Sequence, residues 1–196
     1  HVAAGAEARV GDAGVRRQPD EGVNRDARRA IAADAEDREA LRRVRRAAAY
    51  QAWWEHQPVR VPRVTSWADL SITRTINWGA LARFWMLDTR QYRDIQPCDS
   101  GTKPVPCGEW ADPKRQLMGA AQEQWLFSGL AASKSHWQVL GQQVMVGPYD
   151  SGPGPEVRVS MDQWSGYPAA RDRLLNTIAQ RAANRTVVLT GDIHSN

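Results

Sequence analysis

A carboxylate and an imidazole stand two positions apart near the last residue: Asp192 and His194, in Gly191-Asp192-Ile193-His194, directly after the apolar run Val187-Val188-Leu189. In extended backbone, residues i and i+2 project to one side, so the pair can converge on a point. A carboxylate oxygen beside an imidazole nitrogen suits a divalent or trivalent metal such as iron, zinc or manganese. Gly191 permits a tight turn or the close approach of a ligand. The same spacing also suits an Asp capping a turn and a His bonded to backbone. A second candidate is Leu87-Asp88-Thr89-Arg90-Gln91-Tyr92-Arg93. The forked donors of Arg90 and Arg93 suit phosphate oxygens, with Tyr92 as a further donor, or an internal Asp–Arg pair fixes the end of a strand. The third is Asp162, in a loop with Trp164, Gly166 and Tyr167. It reads either as a metal ligand or as a turn-forming carboxylate beside a packed tryptophan. Ser128, Ser133 and Ser135 have no partnered His and Asp, so acyl transfer has no support. No P-loop and no CxxC is present.

The elements that must position these residues alternate. Ala, Leu, Arg and Glu from Arg28 to His56 predict a helix that ends before Pro58 and Pro62. Ser71–Gly79 reads as a half-buried strand, with Ile72, Ile76 and Trp78 on its apolar side. Ala80–Arg90 reads as a second strand whose apolar run emerges into Asp88, Thr89 and Arg90. A helix is predicted over Arg115–Ser133, with Leu117, Met118, Ala121, Trp125, Leu126, Leu130 and Ala131 inward. A strand is predicted over His136–Val146, and a helix over Ala169–Ala183 with Leu174, Leu175 and Ile178 inward. A buried strand at Val187–Leu189 follows. Helices alternating with buried strands define an α/β layered class, in which ligands gather at the carboxyl ends of strands. Trp53, Trp54, Trp78, Trp85 and Trp125 are assigned to the core, and His56 and His136 to packing or surface.

Composition bounds the alternatives. The 26 basic and 22 acidic side chains give a net charge of +4, spread along the chain, so nucleic acid is not expected as a specific partner. No run approaches the ~18 apolar residues of a membrane span. No export signal pattern is visible. Residues 1–40 carry no Trp, Tyr, Phe, Leu or Met and have too little apolar surface to offset their ordering entropy. They are expected to be disordered apart from a helical tail, or to be an out-of-frame segment; residues 41–196 are the expected domain. Cys98 and Cys107 flank a Gly-, Pro- and Asp-containing loop and form either one disulfide or two free thiols, according to compartment.

Five blocks in order carry a resemblance: Arg45–Arg60 (RRAAAYQAWWEHQPVR), Phe84–Asp94 (FWMLDTRQYRD), Leu117–Met145, Met161–Leu175 (MDQWSGYPAARDRLL) and Val187–Ser195 (VVLTGDIHS). Together they resemble the PhoD-like alkaline phosphatase family of the calcineurin-like metallophosphatase superfamily. The resemblance implies a four-layer α/β/β/α metallophosphatase sandwich, partial here and cut at both ends. It implies metal-dependent hydrolysis of phosphate monoesters or diesters, outside the cytoplasm, as part of a larger parent enzyme of unknown oligomeric state. The implied metals are Ca2+ and Fe3+, with Zn2+ or Mn2+ as alternatives. By position, Asp192 and His194 match the family's late Gly-Asp-x-His metal motif, Asp162 matches the carboxylate of its Asp-x-Trp-x-Gly-Tyr loop, and Arg90 and Tyr92 match a segment beside the site. The family's earlier ligands, a cysteine, an Asp-Tyr pair, an Asp-Asp-His-Glu run and an asparagine, have no counterpart here. With three candidate ligands the isolated chain is expected to be weak or inactive, and a non-catalytic binding remnant is the competing reading.

Overall fold

The computed structural model describes residues 21–59, 61 and 64–192; of residues 21–32 and 35 only the backbone is described. His194 and residues 1–20 lie outside the described residues. Along the chain the elements are α1 (Glu21–His56), β1 (Arg74–Trp78), β2 (Ala82–Met86), β3 (Thr102–Pro104), α2 (Ala120–Ala132), β4 (Trp137–Gly141), β5 (Arg158–Ser160), α3 (Pro168–Arg181) and β6 (Thr186–Leu189). The contacts divide the chain into two units, with the boundary between Leu70 and Ser71.

In the first unit, α1 spans Glu21–His56, where composition predicts a helix only from near Arg28. Past its end, a 3-10 turn at Trp67–Asp69 returns to the helix. The Trp54 and Trp67 ring centroids lie 5.4 Å apart, Trp54 Nε1 donates to the Val61 carbonyl, and Arg43 pairs with Asp69 at 3.6 Å.

The second unit is a mixed sheet in the order β1-β2-β4-β6. β1 is antiparallel to β2, whereas β2, β4 and β6 are mutually parallel. α2 connects β2 to β4 and α3 connects β4 to β6, as parallel neighbours require a crossover. α2 and α3 pack on each other. β3 and β5 form a separate antiparallel pair. Trp85, Leu140 and Val188 share one row of the sheet. They meet Leu126 and Leu130 of α2 and Leu174 of α3 in the core. Trp85 is the centre of this face. Its ring stands edge-on to Trp125 at 5.2 Å, and its Nε1 donates to Gln138 Oε1 at 2.9 Å.

The opposite face of the sheet differs from expectation. Ile76, Phe84, Val139 and Val187 align in one row, with Arg74, Met86, Gly141 and Leu189 two residues along. Val187 is 41% exposed, Ile76 46%, Leu189 52% and Trp78 68%. β1 is therefore not half-buried, β6 is not a buried strand, and Trp78 is not a core residue, because an apolar pattern states that a face must be covered but not by what. Other differences are local. α2 starts at Ala120 because Gly119, at φ 76°, turns the chain where apolar spacing continues without a break. Gln122, not Ala121, then faces inward, and Ala131 is exposed. Leu175 is exposed while Leu174 fills the core. β4 ends at Gly141, before two glutamines with other roles.

Gly129 of α2 lies against the Trp85 ring so closely that an added Cβ would stand 2.2 Å from it. Gly129→Val should cost about 1–3 kcal/mol through overpacking, read as a lower urea midpoint. An unchanged midpoint would contradict this placement of Trp85.

Candidate active site

The carboxyl ends of β2, β4 and β6 point the same way because the strands are parallel. β2 runs into Leu87 and then Asp88, whose carboxylate is fully buried. Asp88 Oδ1 accepts the backbone N–H groups of Arg90 and Gln91, each at 2.9 Å, and Oδ2 accepts from Gln91 Nε2 at 2.6 Å. Asp88 is thus a turn former; the expected Asp–Arg pairing within the segment gives way to a carboxylate that aims Arg90 outward. Two glutamines fix the same turn. Gln143, just past β4, accepts from the Thr89 N–H and Oγ1 and donates to the Leu87 carbonyl at 2.8 Å. Gln122 of α2 accepts from the Asp88 N–H and donates back to the Asp88 carbonyl, both at 2.8 Å.

Arg90 leaves this turn and bridges two carboxylates from distant segments. Its Nη1 donates to Asp162 Oδ2 at 2.6 Å and its Nη2 to Asp192 Oδ2 at 3.1 Å. Arg93 Nη1 donates to the other Asp162 oxygen at 2.6 Å, and Gln96 Nε2 donates to it as well. The planar fork of arginine suits this bridging geometry. Burial acts to raise the Asp162 carboxyl, but the hydrogen bonds and charges of Arg90 and Arg93 outweigh it and hold the group below the ordinary carboxylate range.

Asp162 is held there by the loop around it. Trp164 is buried and donates from Nε1 to Gln142 Oε1 at 3.0 Å. Tyr167 is buried, and its hydroxyl donates to the Asp94 carbonyl at 2.7 Å. Trp110 Nε1 donates to the Ser165 carbonyl at 2.7 Å. Gly166 allows the fold-back, since a Cβ there would lie 2.6 Å from the Met161 carbonyl oxygen. Tryptophan packing and a positioned carboxylate, two alternative readings of the sequence, are parts of one arrangement. The segment between Arg93 and this loop is tied by a disulfide between Cys98 and Cys107, with Cα atoms 6.0 Å apart.

Arg90, Asp162 and Asp192 therefore come together. Tyr92 takes no part in this bridge and instead lines a cavity with Gly119 and Trp125. Asp192 has φ 56°, in the left-handed region. His194, its expected partner, lies outside the described residues. The left-handed turn falls on Asp192, not on Gly191, and among the described residues nothing approaches the position of a Gly191 Cβ. Gln96, Gln122 and Gln143 were not distinguishable in the sequence, because their roles depend on partners 34 to 66 positions away.

Two carboxylates from separate loops facing one positive group are hard oxygen donors of the type a Ca2+ or Fe3+ ion takes. Among the described residues they form only part of a set, since no cluster of three or more His, Cys, Asp or Glu side chains that could hold a metal is present there.

Arg90 after β2 and Asp192 after β6 stand at the carboxyl edge of the parallel strands, the edge at which α/β proteins gather ligands. The family model of the PhoD-like phosphatases matches residues 23–196, and the chain belongs to that family. Alkaline phosphatase D of Bacillus subtilis (strain 168) is 47% identical over 152 residues, which are 78% of this chain and 26% of that protein. A solved structure of PhoD superposes with a TM-score of 0.70 at 47% identity, over 76% of this chain and 28% of that one. The chain thus spans about a quarter of the length of the relatives it matches.

Because the folded-state carboxyl of Asp162 titrates below its unfolded value, about 3.9, the stability it contributes is complete above that value and is lost as pH falls through the lower, folded one. Thermal unfolding from about pH 6 to about pH 3 should show a drop in Tm that is shallower in Arg93→Met than in the wild type. Parallel curves would contradict the pairing.

Proposed function

We propose that this chain forms the strand-end part of a phosphoric ester hydrolase site of the alkaline phosphatase D type, acting on phosphate monoesters or diesters. The observation that carries the reading is the Arg90 guanidinium set between Asp162 and Asp192, within the region the family model matches. Arg90 binds a non-bridging phosphate oxygen, and Arg93 holds the Asp162 carboxylate ionised and oriented. Asp162, Asp192 and, from the resemblance, His194 hold metal, for which Ca2+ and Fe3+ fit the donor types and Zn2+ or Mn2+ are alternatives. A cation held there offsets charge on the transferring phosphoryl group and lowers the pKa of water. Tyr92, two residues after Arg90, lines the neighbouring cavity. The competing reading is a domain that binds without turnover.

The bare apolar face of the sheet supports the four-layer reading. Trp78, Ile76, Phe84, Val187 and Leu189 form a continuous surface of the kind a second sheet covers. The disulfide supports a location outside the cytoplasm. No helix among the described residues is long and apolar enough to cross a membrane.

Hydrolysis of 4-nitrophenyl phosphate and bis(4-nitrophenyl) phosphate with added iron and calcium tests the reading. Asp192→Asn and Arg90→Ala should each lower the rate by about 100-fold or more, in line with loss of one electrostatic contact in the transition state. Terbium binding, read by tryptophan-sensitised luminescence, separates the alternatives. Binding weakened in Asp162→Asn and Asp192→Asn without wild-type turnover supports the binding domain, and binding unaffected by both substitutions removes both readings.

A further inference from the structure

An open cavity of about 660 Å³ lies beside the Arg90 turn, between the start of β1 and the first turns of α2. Arg74, at the start of β1, pairs with Met86, at the end of β2, so the cavity sits at the same end of the sheet as Arg90. Tyr92 belongs to both places: it follows Arg90 by two residues and forms one wall of the cavity. The other walls are Met118, Gly119, Ala121 and Trp125 of the α2 region, with Thr73, Thr75 and Arg74 opposite, where Arg74 Nη1 donates to the Ile72 carbonyl at 2.8 Å. Gln122, which also lines it, is bound to the Asp88 backbone and accepts from Thr73 Oγ1, so its polar atoms are already engaged. What remains available is largely apolar and aromatic. Gly119 suits this place, since at φ 76° an added Cβ would be strained and would stand 2.9 Å from Tyr92 Cβ. The volume falls within the range of small-molecule sites, which are mostly apolar with a few placed polar groups.

We propose that this cavity is the subsite for the organic group of the ester, and that it takes a flat apolar alcohol of one or two rings. This rests on the phosphoesterase reading for its place in the reaction, but the cavity's affinity for the alcohol does not. A phosphoryl group on Arg90 would leave its organic substituent on the Tyr92 side, where Trp125 and Met118 offer aromatic and thioether contacts. A phosphate ester with a small alkyl group gains nothing there.

The test uses 2-naphthol titrated calorimetrically into the whole chain, beside rates with 2-naphthyl phosphate and methyl phosphate. Ala121→Trp, on an exposed position of α2, fills the cavity without removing a core contact. Thr75→Trp, exposed on β1, fills it from the other wall and guards against a folding defect in the first variant. The expected result is 2-naphthol binding that weakens at least tenfold in both variants. KM for 2-naphthyl phosphate should rise by a similar factor, with methyl phosphate unchanged. Binding of 2-naphthol lost in the variants, in a chain that hydrolyses neither ester, upholds the cavity and removes the phosphoesterase reading. No 2-naphthol binding, or binding equal in wild type and both folded variants, overturns the proposal.

Discussion

Arg90 can bridge Asp162 and Asp192 only if three stretches of chain arrive at one place in fixed orientation, and most of the second unit serves that requirement. Parallel pairing of β2, β4 and β6 brings the ends of all three strands to one edge. Buried Asp88, braced by Gln122 and Gln143, turns the chain so that Arg90 leaves the sheet toward Asp162. Trp164 and Tyr167 anchor the loop that supplies the carboxylate. An arginine between two acids is weak as a stabilising device at this degree of exposure, with each partner about a third or more open to solvent. Its value is positional, since it places a positive fork and two carboxylates within one small volume.

The same arrangement explains why charge sits here at all. A carboxylate this close to two guanidinium groups stays ionised to lower pH than a free one, and a guanidinium committed to two acids keeps a fixed direction. Both conditions suit a site that meets a doubly charged oxyanion. They also suit one that exchanges the guanidinium for a cation on the same oxygens. On the proposed reading these are two sides of one function, because a metal on the carboxylates frees Arg90 for the phosphoryl group.

Much of the layout was legible in the sequence, for identifiable reasons. The continuous apolar run Phe84–Leu87 marks a central strand, and the Asp, Thr and Arg that follow mark where it emerges, whereas the similar run Val187–Leu189 forms the edge strand β6. Leu174 and Ile178 show the helical period that packs α3 onto the sheet. What was not legible depends on contacts between distant positions. Nothing local distinguishes Gln143 or Gln122 from a solvated glutamine, and nothing local shows that Leu117 and Met118 precede α2 instead of lying within it. The exposed side of β1 and β6 was misread for a related reason: alternation identifies an apolar face, while its cover lies elsewhere. The left-handed backbone of Asp192 was not legible either, since nothing in the local pattern distinguishes it from an extended residue.

The most direct measurement is a crystal structure of the chain grown with calcium and tungstate, the latter standing in for phosphate. The account predicts calcium against the carboxylates of Asp162 and Asp192, and tungstate against the Arg90 guanidinium. A structure in which Arg90 keeps both carboxylates while calcium and tungstate settle elsewhere would contradict it.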